Sequence, residues 1–153
     1  MARQKTAVTL VEVILIVLFL GILAVIAIPR LSLSSISDQK ADCLAQKIVT
    51  DLRRTRRLAI SNAAVNTAGF KLDMKGTSEY TGYDIVDANS AETVDSHTID
   101  SAVTCTGSDE FAFSPQGNLL SEIDTQLVIS VDGKTLFTID ITPATGMVKC
   151  TEN

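Results

Sequence analysis

A single acidic residue stands at the start of a long apolar run near the beginning of this 153-residue chain. Glu12 precedes an uninterrupted apolar stretch from Val13 to Ile28. A carboxylate near the centre of a bilayer costs about 3 kcal/mol, and less toward a helix end, so it requires either water or a cationic partner. The position therefore predicts ion pairing for Glu12, and the alternative is a side chain that simply reaches water.

Four arginines form the second group of residues that could have a functional role. Arg53, Arg54, Arg56 and Arg57 stand in a segment with helical periodicity. On a helical wheel they cover about 160°, on the side away from the apolar residues. Such a face predicts either a docking surface for acidic domains of neighbouring subunits or a solvated face that aids solubility.

Cysteines form the third group, and their number is odd. Cys105 and Cys150 both fall among predicted strands, whereas Cys43 falls on the arginine side of the predicted helix. In an oxidising compartment this distribution predicts a Cys105–Cys150 disulfide. The alternative is that all three are reduced, with Cys43 able to cross-link two chains.

The remaining polar residues do not predict an enzyme. His97 is the only histidine, and no nucleophile–base set or glycine-rich phosphate loop accompanies it. Asp84, Asp87 and Asn89 offer oxygen ligands for calcium, but their loop lacks a glycine turn and a closing bidentate acid. We therefore expect no catalysis, no cofactor and no metal, and we expect His97 to be a surface residue.

The element that carries Glu12 is predicted to be a membrane-length helix. Residues Val8 to Ile28 would rise about 32 Å, close to the roughly 30 Å of a hydrocarbon core. Arg3 and Lys5 precede this segment. Because positive residues stay on the cytoplasmic side, the rest of the chain is predicted to lie outside.

Beyond Pro29 the pattern predicts a helix and then strands. The helix starts at Ser37 or Asp38, or runs on from the first with a kink, and ends between Asn62 and Asn66. Its apolar stripe is Ala41, Leu44, Ala45, Ile48, Leu52, Ala59 and Ala63. The predicted strands are Ala68–Leu72, Tyr80–Val86, Val94–Ile99, Glu110–Ser114, Leu127–Val131, Leu136–Ile141 and Met147–Cys150. A hairpin is predicted at Asp132-Gly133, because that turn requires positive φ.

Charge divides the chain into two parts. Residues 1–64 hold nine basic and four acidic residues, whereas residues 65–153 hold four basic and 14 acidic residues. An acidic outer domain repels nucleic acid over most of its surface. A nucleic-acid partner is therefore disfavoured.

The string Ala7-Val8-Thr9-Leu10-Val11-Glu12 resembles the processing site of type IV prepilins and type II secretion pseudopilins. The resemblance implies cleavage between Ala7 and Val8 by a prepilin peptidase and methylation of the new Val8 amine. It also implies that Glu12 pairs with the N-terminal amine of a neighbouring subunit. Pro29 matches a proline common in these helices. Ala7 stands where glycine is usual, and Val8 where phenylalanine is usual.

Later segments resemble the H-type pseudopilins and FimT-like minor pilins of that superfamily. They are Asp51–Asn62, Val65–Leu72, Phe113–Asn118 and Thr145–Lys149. Some FimT-like members that take up DNA carry a Gly-Arg-x-Arg stretch near the C-terminus. Here that stretch is Gly146-Met147-Val148-Lys149, so the first arginine is lost and the second is lysine.

Together these observations predict an α+β fold, with a long N-terminal helix packed on an antiparallel all-β head. The first half of the helix is predicted to span a membrane. The predicted divisions are a cleaved leader (1–7), a transmembrane and filament-core helix (8–28), its amphipathic continuation (29–64) and the β head (65–153).

The implied function is that of a minor pilin or H-type pseudopilin of a type IV pilus or type II secretion system. Its partners would be prepilin peptidase, other pilins or pseudopilins, and the bacterial inner membrane before assembly. It would be a single-pass protein with its head in the periplasm, and later part of a pilus or pseudopilus. The alternatives are a major pilin, a DNA-uptake minor pilin, a secreted protein with a cleaved signal peptide, or a lone membrane-anchored binding domain.

Overall fold

A computed structural model of the chain describes residues 9–27, 33–120 and 125–153. The chain divides into two compact units, Met1–Ser35 and Ile36–Asn153. Each unit is described by itself below.

Helix α1, Leu10–Ala27, is the described element of the first unit. The backbone N–H of Glu12 donates to the hydroxyl of Thr9 at 3.3 Å and to its carbonyl at 3.0 Å. Thr9 is therefore the N-cap, with Glu12 at the third helical position, as in a capping box. A carboxylate in the first turn also interacts favourably with the positive end of the helix dipole.

The predicted membrane-spanning helix is the main error of the sequence analysis. Within residues 9–27, 33–120 and 125–153, neither helix combines the length and apolar character needed to cross a membrane. The described helix α1 has 18 residues and rises about 27 Å, whereas the predicted helix had 21 residues. The predicted fold class, with one long helix whose first half spans a membrane, is therefore wrong. The single-pass inner-membrane location, with the head in the periplasm, is contradicted by the same finding.

Helix α2, Leu33–Ser61, starts earlier than predicted. Its buried side chains recur every three or four residues, as a helix packed on one face requires. They are Ala41, Ala45, Ile48, Val49, Asp51, Leu52, Thr55 and Ala59. Asn62 ends the helix by donating from Nδ2 to the carbonyl of Leu58 at 2.9 Å. Ala63, the last member of the predicted stripe, lies beyond this end and is exposed.

In the described part of the chain, eight strands form two four-stranded antiparallel sheets. The first sheet has the order β3-β2-β1-β5, and the second has the order β4-β6-β7-β8. The strands are β1 Phe70–Lys75, β2 Gly82–Asp87, β3 Thr93–Thr98, β4 Thr104–Gly107, β5 Glu110–Phe113, β6 Gln126–Val131, β7 Lys134–Thr142 and β8 Met147–Glu152. The antiparallel part of the prediction is confirmed.

One apolar core joins α2 to both sheets. In the first sheet Phe70 lies opposite Phe113, and Leu72 lies opposite Phe111. In the second sheet, the alternate residues of β6 and β7 that point inward are buried. These include Leu127, Ile129, Val131, Ile139 and Ile141. The period-two alternation seen in the sequence therefore identified the core face correctly.

The β6–β7 connection confirms the predicted hairpin. Asp132 and Gly133 have φ values of 50° and 78°, and Val131 pairs with Lys134 on either side of them. Two successive residues with positive φ are the requirement of a type I′ turn. The Asp-Gly dipeptide supplies them because glycine, and to a lesser degree aspartate, tolerates this conformation.

Strand β4 was not predicted. Its sequence Thr-Cys-Thr-Gly contains one apolar side chain, Cys105, which is fully buried opposite Ile129 of β6. A strand of four residues with a single buried side chain shows too little alternation of apolar and polar residues to be recognised in the sequence. The other seven strands agree with the prediction to within three residues at either end.

Candidate functional site

Helix α1 presents apolar side chains in every direction. Between Leu10 and Leu23 each large apolar side chain is 50–75% exposed. Exposed apolar surface of this extent marks an interaction site, because isolated soluble chains rarely leave such a surface uncovered. Glu12 is the acidic residue in the first turn of this helix.

Three of the predicted processing and assembly residues, Ala7, Val8 and Pro29, lie outside the described residues. The cleavage position and the methylated amine therefore stay predictions.

The four arginines of α2 do not form one face. Arg54 Nη1 contacts Asp95 Oδ2 at 2.6 Å, next to edge strand β3 of the first sheet. On the other flank, Arg53 Nη2 donates to the carbonyl of Val148 at 3.3 Å. Arg56 Nε donates to the carbonyl of Gly117 at 2.9 Å.

This arrangement changes the interpretation of the arginine cluster. Arg53, Arg54 and Arg56 attach α2 to its own β domain at three separate points. Arg57 is exposed and makes no ion pair or hydrogen bond with the part of the chain that the structure describes. Of the four, Arg57 is therefore the residue whose charge is fully available to another molecule.

Among the described residues, the most buried charged residue is Asp51 of α2, which was not among the predicted site residues. Asp51 is 5% exposed, and its Oδ2 accepts a hydrogen bond from the hydroxyl of Tyr83 at 2.7 Å. Lys47 Nζ lies 3.4 Å from the same oxygen, and His97 Nε2 lies 3.5 Å from it. Burial, followed by the hydrogen bond to Asp51, raises the pKa of Tyr83 well above its usual range, so its hydroxyl remains a donor.

His97 is not the surface residue that was predicted. Its side chain is 22% exposed, and its Nε2 lies 3.4 Å from Asp95 Oδ2 as well as near Asp51. Its ring also packs on Tyr83, with centroids 5.3 Å apart. The residue thus lies between α2 and β3, in contact with carboxylates from both elements.

Two ion pairs join α2 to β3 and to the loop that follows it, through Asp95 and Asp100 respectively. The hydrogen bond from Arg54 lowers the pKa of Asp95, and the hydrogen bond from Lys40 at 2.7 Å lowers the pKa of Asp100. Because the pKa of each carboxyl is lower in the folded state, these contacts stabilise the fold at pH values above 3.8, the ordinary pKa of an aspartate. Their contribution is lost as the pH falls through the lower folded-state values. Because both carboxylates are at the surface, added salt weakens the contacts.

The predicted Cys105–Cys150 disulfide is wrong, because all three cysteines are free thiols. Cys105 lies on β4 and Cys150 on β8, at opposite edges of one sheet, with β6 and β7 between them. Three inter-strand spacings amount to about 14 Å. The Cα atoms of a disulfide lie within about 7 Å of each other.

The thiols are expected to differ strongly in reactivity. Burial raises the pKa of Cys105 to about 12, whereas Cys43 and Cys150 are exposed. Since the thiolate is the reactive species, native protein at pH 8 should release two equivalents of thionitrobenzoate rapidly from Ellman's reagent. The third equivalent should appear only in denaturant. Three rapid equivalents would contradict the buried position of Cys105.

The oxygen ligands considered for calcium have other roles. Asp87 Oδ1 accepts the backbone N–H groups of Asn89 and Ser90 and the Nδ2 group of buried Asn66. Asp84 is paired with Lys75 at 2.8 Å. Over the described ranges of the chain, no group of three or more metal-ligating side chains is close enough to hold a metal ion.

The segment aligned with the Gly-Arg-x-Arg stretch lies at the β7–β8 turn and in β8. Gly146 occupies the turn with φ of 61°, and Lys149 is exposed opposite Asp140 of β7. The one cation of this stretch, Lys149 on β8, therefore lies opposite the acidic residue Asp140 on the neighbouring strand β7.

Comparison of the chain with protein-family models, curated proteins and solved structures finds no match.

Proposed function

We propose that this chain is a structural subunit of a pilin-like filament, namely a minor pilin or H-type pseudopilin of a type IV pilus or type II secretion system. In this proposal prepilin peptidase cuts between Ala7 and Val8, and the mature chain assembles with other pilins or pseudopilins through α1. The observation that carries the proposal is the apolar surface of α1, with a carboxylate in its first turn.

The exposure of α1 supports assembly through helix–helix contacts. Large side chains such as Leu15, Val17 and Leu20 are at least half exposed within their own chain. A helix that is apolar on all sides is stable only when other apolar elements surround it. Copies of the same helix from neighbouring subunits would bury this surface on every side in the centre of a filament.

Glu12 gives this helix bundle a means of setting its register. A carboxylate entering apolar surroundings needs a cation nearby, because an unpaired buried charge is strongly unfavourable. The amine of Val8 in the adjacent subunit, exposed by cleavage, is a suitable partner. Pairing with that amine would fix the axial position of each subunit relative to the next.

The two sheets and α2 would form the outward-facing domain. An abundant major pilin stays an alternative, distinguished by its quantity in sheared fibres. A DNA-uptake subunit is a weaker candidate, because Lys149 is the one cation of the aligned stretch and lies opposite Asp140.

The experiment compares filament yield for variants at the start of α1 in the cell that produces the protein. We expect Glu12→Leu and Glu12→Gln each to reduce the amount of the chain in sheared filaments by about tenfold. This reduction corresponds to the loss of one ion pair that contributes roughly 1.4 kcal/mol to assembly. Total protein should be unchanged. Mass spectrometry of the wild-type chain should give an N-terminus at Val8 carrying a methyl group.

Thr9→Ala is the matched control. It removes the hydroxyl that caps α1 but leaves the charge of Glu12 in place. Its filament yield should stay within about twofold of wild type, since an N-cap contributes only about 1 kcal/mol to helix stability. Normal filaments from Glu12→Leu, or native protein that retains Met1, would show that the proposal is wrong.

A further inference from the structure

Two grooves of opposite charge lie along one side of α2. The first, here called the acidic groove, has a volume of about 450 Å³ and lies between the first turns of α2 and the β7 and β8 strands. The second, the basic groove, has a volume of about 380 Å³ and lies near the end of α2. Both belong to the unit formed by residues 36–153.

The acidic groove combines charge with an apolar floor. Its carboxylates are Asp38, Asp42 and Glu152, and the partly buried side chains of Leu136 and Phe137 lie beneath them. Lys134 is the one cation in its lining, so acidic side chains outnumber basic ones.

The basic groove has the opposite charge and a similar apolar component. Arg53, Arg56 and Arg57 line it together with Ile60, which is 44% exposed. No acidic side chain lines this groove within the described residues. Arg53 and Arg56 already donate to backbone carbonyls of their own domain. Arg57 makes no such contact with the described residues, so its charge is available to a partner.

The positions of these charges are not explained by the helix dipole. That effect is confined to the first and last turns of a helix. The first turn of α2 contains no acidic residue and the last turn contains no basic residue. Asp38, Asp42, Arg53, Arg57 and Ile60 fall instead within an arc of about 100° on the helical wheel. The two grooves therefore open on the same side of α2.

We infer that the acidic groove of one copy of this chain docks on the basic groove of the next copy. Like grooves repel each other, so each groove is expected to meet the unlike groove of another copy. A closed antiparallel pair would occupy both grooves of each copy and stop growth, whereas the filament of the proposed function requires an open arrangement. In the open arrangement one groove stays free at each end, and repeated contacts of this kind build a filament. Asp42 and Arg57 are separated by about 22 Å along the helix, so each copy can contact two neighbours. The inference rests on the proposed function and names the subunit surface that filament growth would use.

The test uses cysteine cross-linking of the full chain in the cell that produces it. Cys43 and Cys150 are changed to serine, and Gln39→Cys and Ser61→Cys are introduced, one in each groove. The two new cysteines are about 33 Å apart along α2, too far to join within one chain. A short bis-maleimide should therefore give a ladder of oligomers with the double-cysteine variant. Either single-cysteine variant has one reactive thiol per chain and could give at most a dimer, and we expect little of it because like grooves do not meet.

Charge reversal in the same background tests the electrostatic part of the inference. Asp38→Arg or Arg57→Glu should each lower the yield of cross-linked oligomers by about fivefold, and the combined variant should restore it to within about twofold. Asp38 and Arg57 make no hydrogen bond or ion pair within the described residues, so neither change removes an internal contact. Circular dichroism of each variant serves as the folding control.

Three results would overturn the inference: a cross-linked dimer in high yield from either single-cysteine variant, a ladder insensitive to both charge reversals, or no species larger than a dimer from the double-cysteine variant. Sheared filaments are measured in the same cultures. Filaments without a ladder would overturn the groove contact and leave the proposed function intact. Wild-type cells without filaments, with Met1 retained on the chain, would overturn both.

Discussion

Replacing Gly146 by alanine should lower the free energy of unfolding by about 3 kcal/mol. Gly146 has φ of 61° in the β7–β8 turn, where an alanine costs about 1 kcal/mol in backbone strain. An added Cβ would also overlap the carbonyl oxygen of Gly117. That carbonyl accepts the hydrogen bond from Arg56, so the turn or the contact with α2 must move. Urea-induced unfolding followed by circular dichroism measures the change.

Gly133→Ala is the matched control for this prediction. Gly133 lies in the turn at the other end of β7 with φ of 78°, but nothing lies within 4 Å of its added Cβ. This variant should therefore lose only the strain energy, about 1 kcal/mol. Equal losses for the two variants would show that the close approach of Gly146 to Gly117 contributes nothing to stability.

Replacing Tyr83 by phenylalanine should lower the free energy of unfolding by about 2 kcal/mol. The change removes the hydroxyl that donates to buried Asp51 at 2.7 Å and leaves the carboxylate with one donor fewer. Hydrogen bonds to charged groups contribute about 1.5–3 kcal/mol, more than those between neutral groups. Asp51→Ala should cost about 3 kcal/mol, because it leaves the Tyr83 hydroxyl without an acceptor and opens a cavity.

The double variant separates the Asp51–Tyr83 contact from the loss of packing. If the two residues act through their hydrogen bond, the combined loss should fall short of the sum by about 1.5–2 kcal/mol. Tyr80→Phe is the matched control, since the Tyr80 hydroxyl donates to the neutral carbonyl of Gly107 at 2.6 Å. Its loss should be about 1 kcal/mol. Additive losses at Asp51 and Tyr83 would contradict the coupling.

Local patterns in the sequence were sufficient to predict most strands and one face of α2. Alternating side chains at Leu127, Ile129 and Val131 report burial directly, since strand residues point to opposite faces in turn. Asp132 and Gly133 report a hairpin because few other pairs tolerate positive φ twice in succession. The stripe from Ala41 to Ala59 reports the packed side of the helix in the same way. In each case the residues that determine the local structure are close neighbours in the sequence.

The contacts around Asp51 depend on the topology and could not be predicted from local patterns. Asp51 is adjacent to Leu52 of the stripe, and this position was the one available signal of its burial. Its partners Tyr83 and His97 are on β2 and β3, distant in sequence. The cysteine prediction failed for the same reason, because the order of strands in the second sheet separates Cys105 from Cys150.

The assignment of the arginines to one surface failed because a helical wheel does not show what lies on either flank. Arg54 faces the edge of the first sheet, and Arg53 and Arg56 face the second sheet and its neighbouring loop. The start of α1 was placed too early because apolar character alone does not define where a helix begins. Thr9 caps the helix, which therefore begins at Leu10, two residues after the predicted start at Val8.

The attachment of Arg53 to Val148 has a consequence for biosynthesis. The ribosome completes α2 early, whereas β8, whose Val148 belongs to the core, is the last strand of this domain to emerge. Until β8 emerges, the nascent chain lacks both the buried side chain of Val148 and the carbonyl that accepts from Arg53, so its core is incomplete. Messages truncated before codon 147 should therefore yield products that are degraded by cellular proteases.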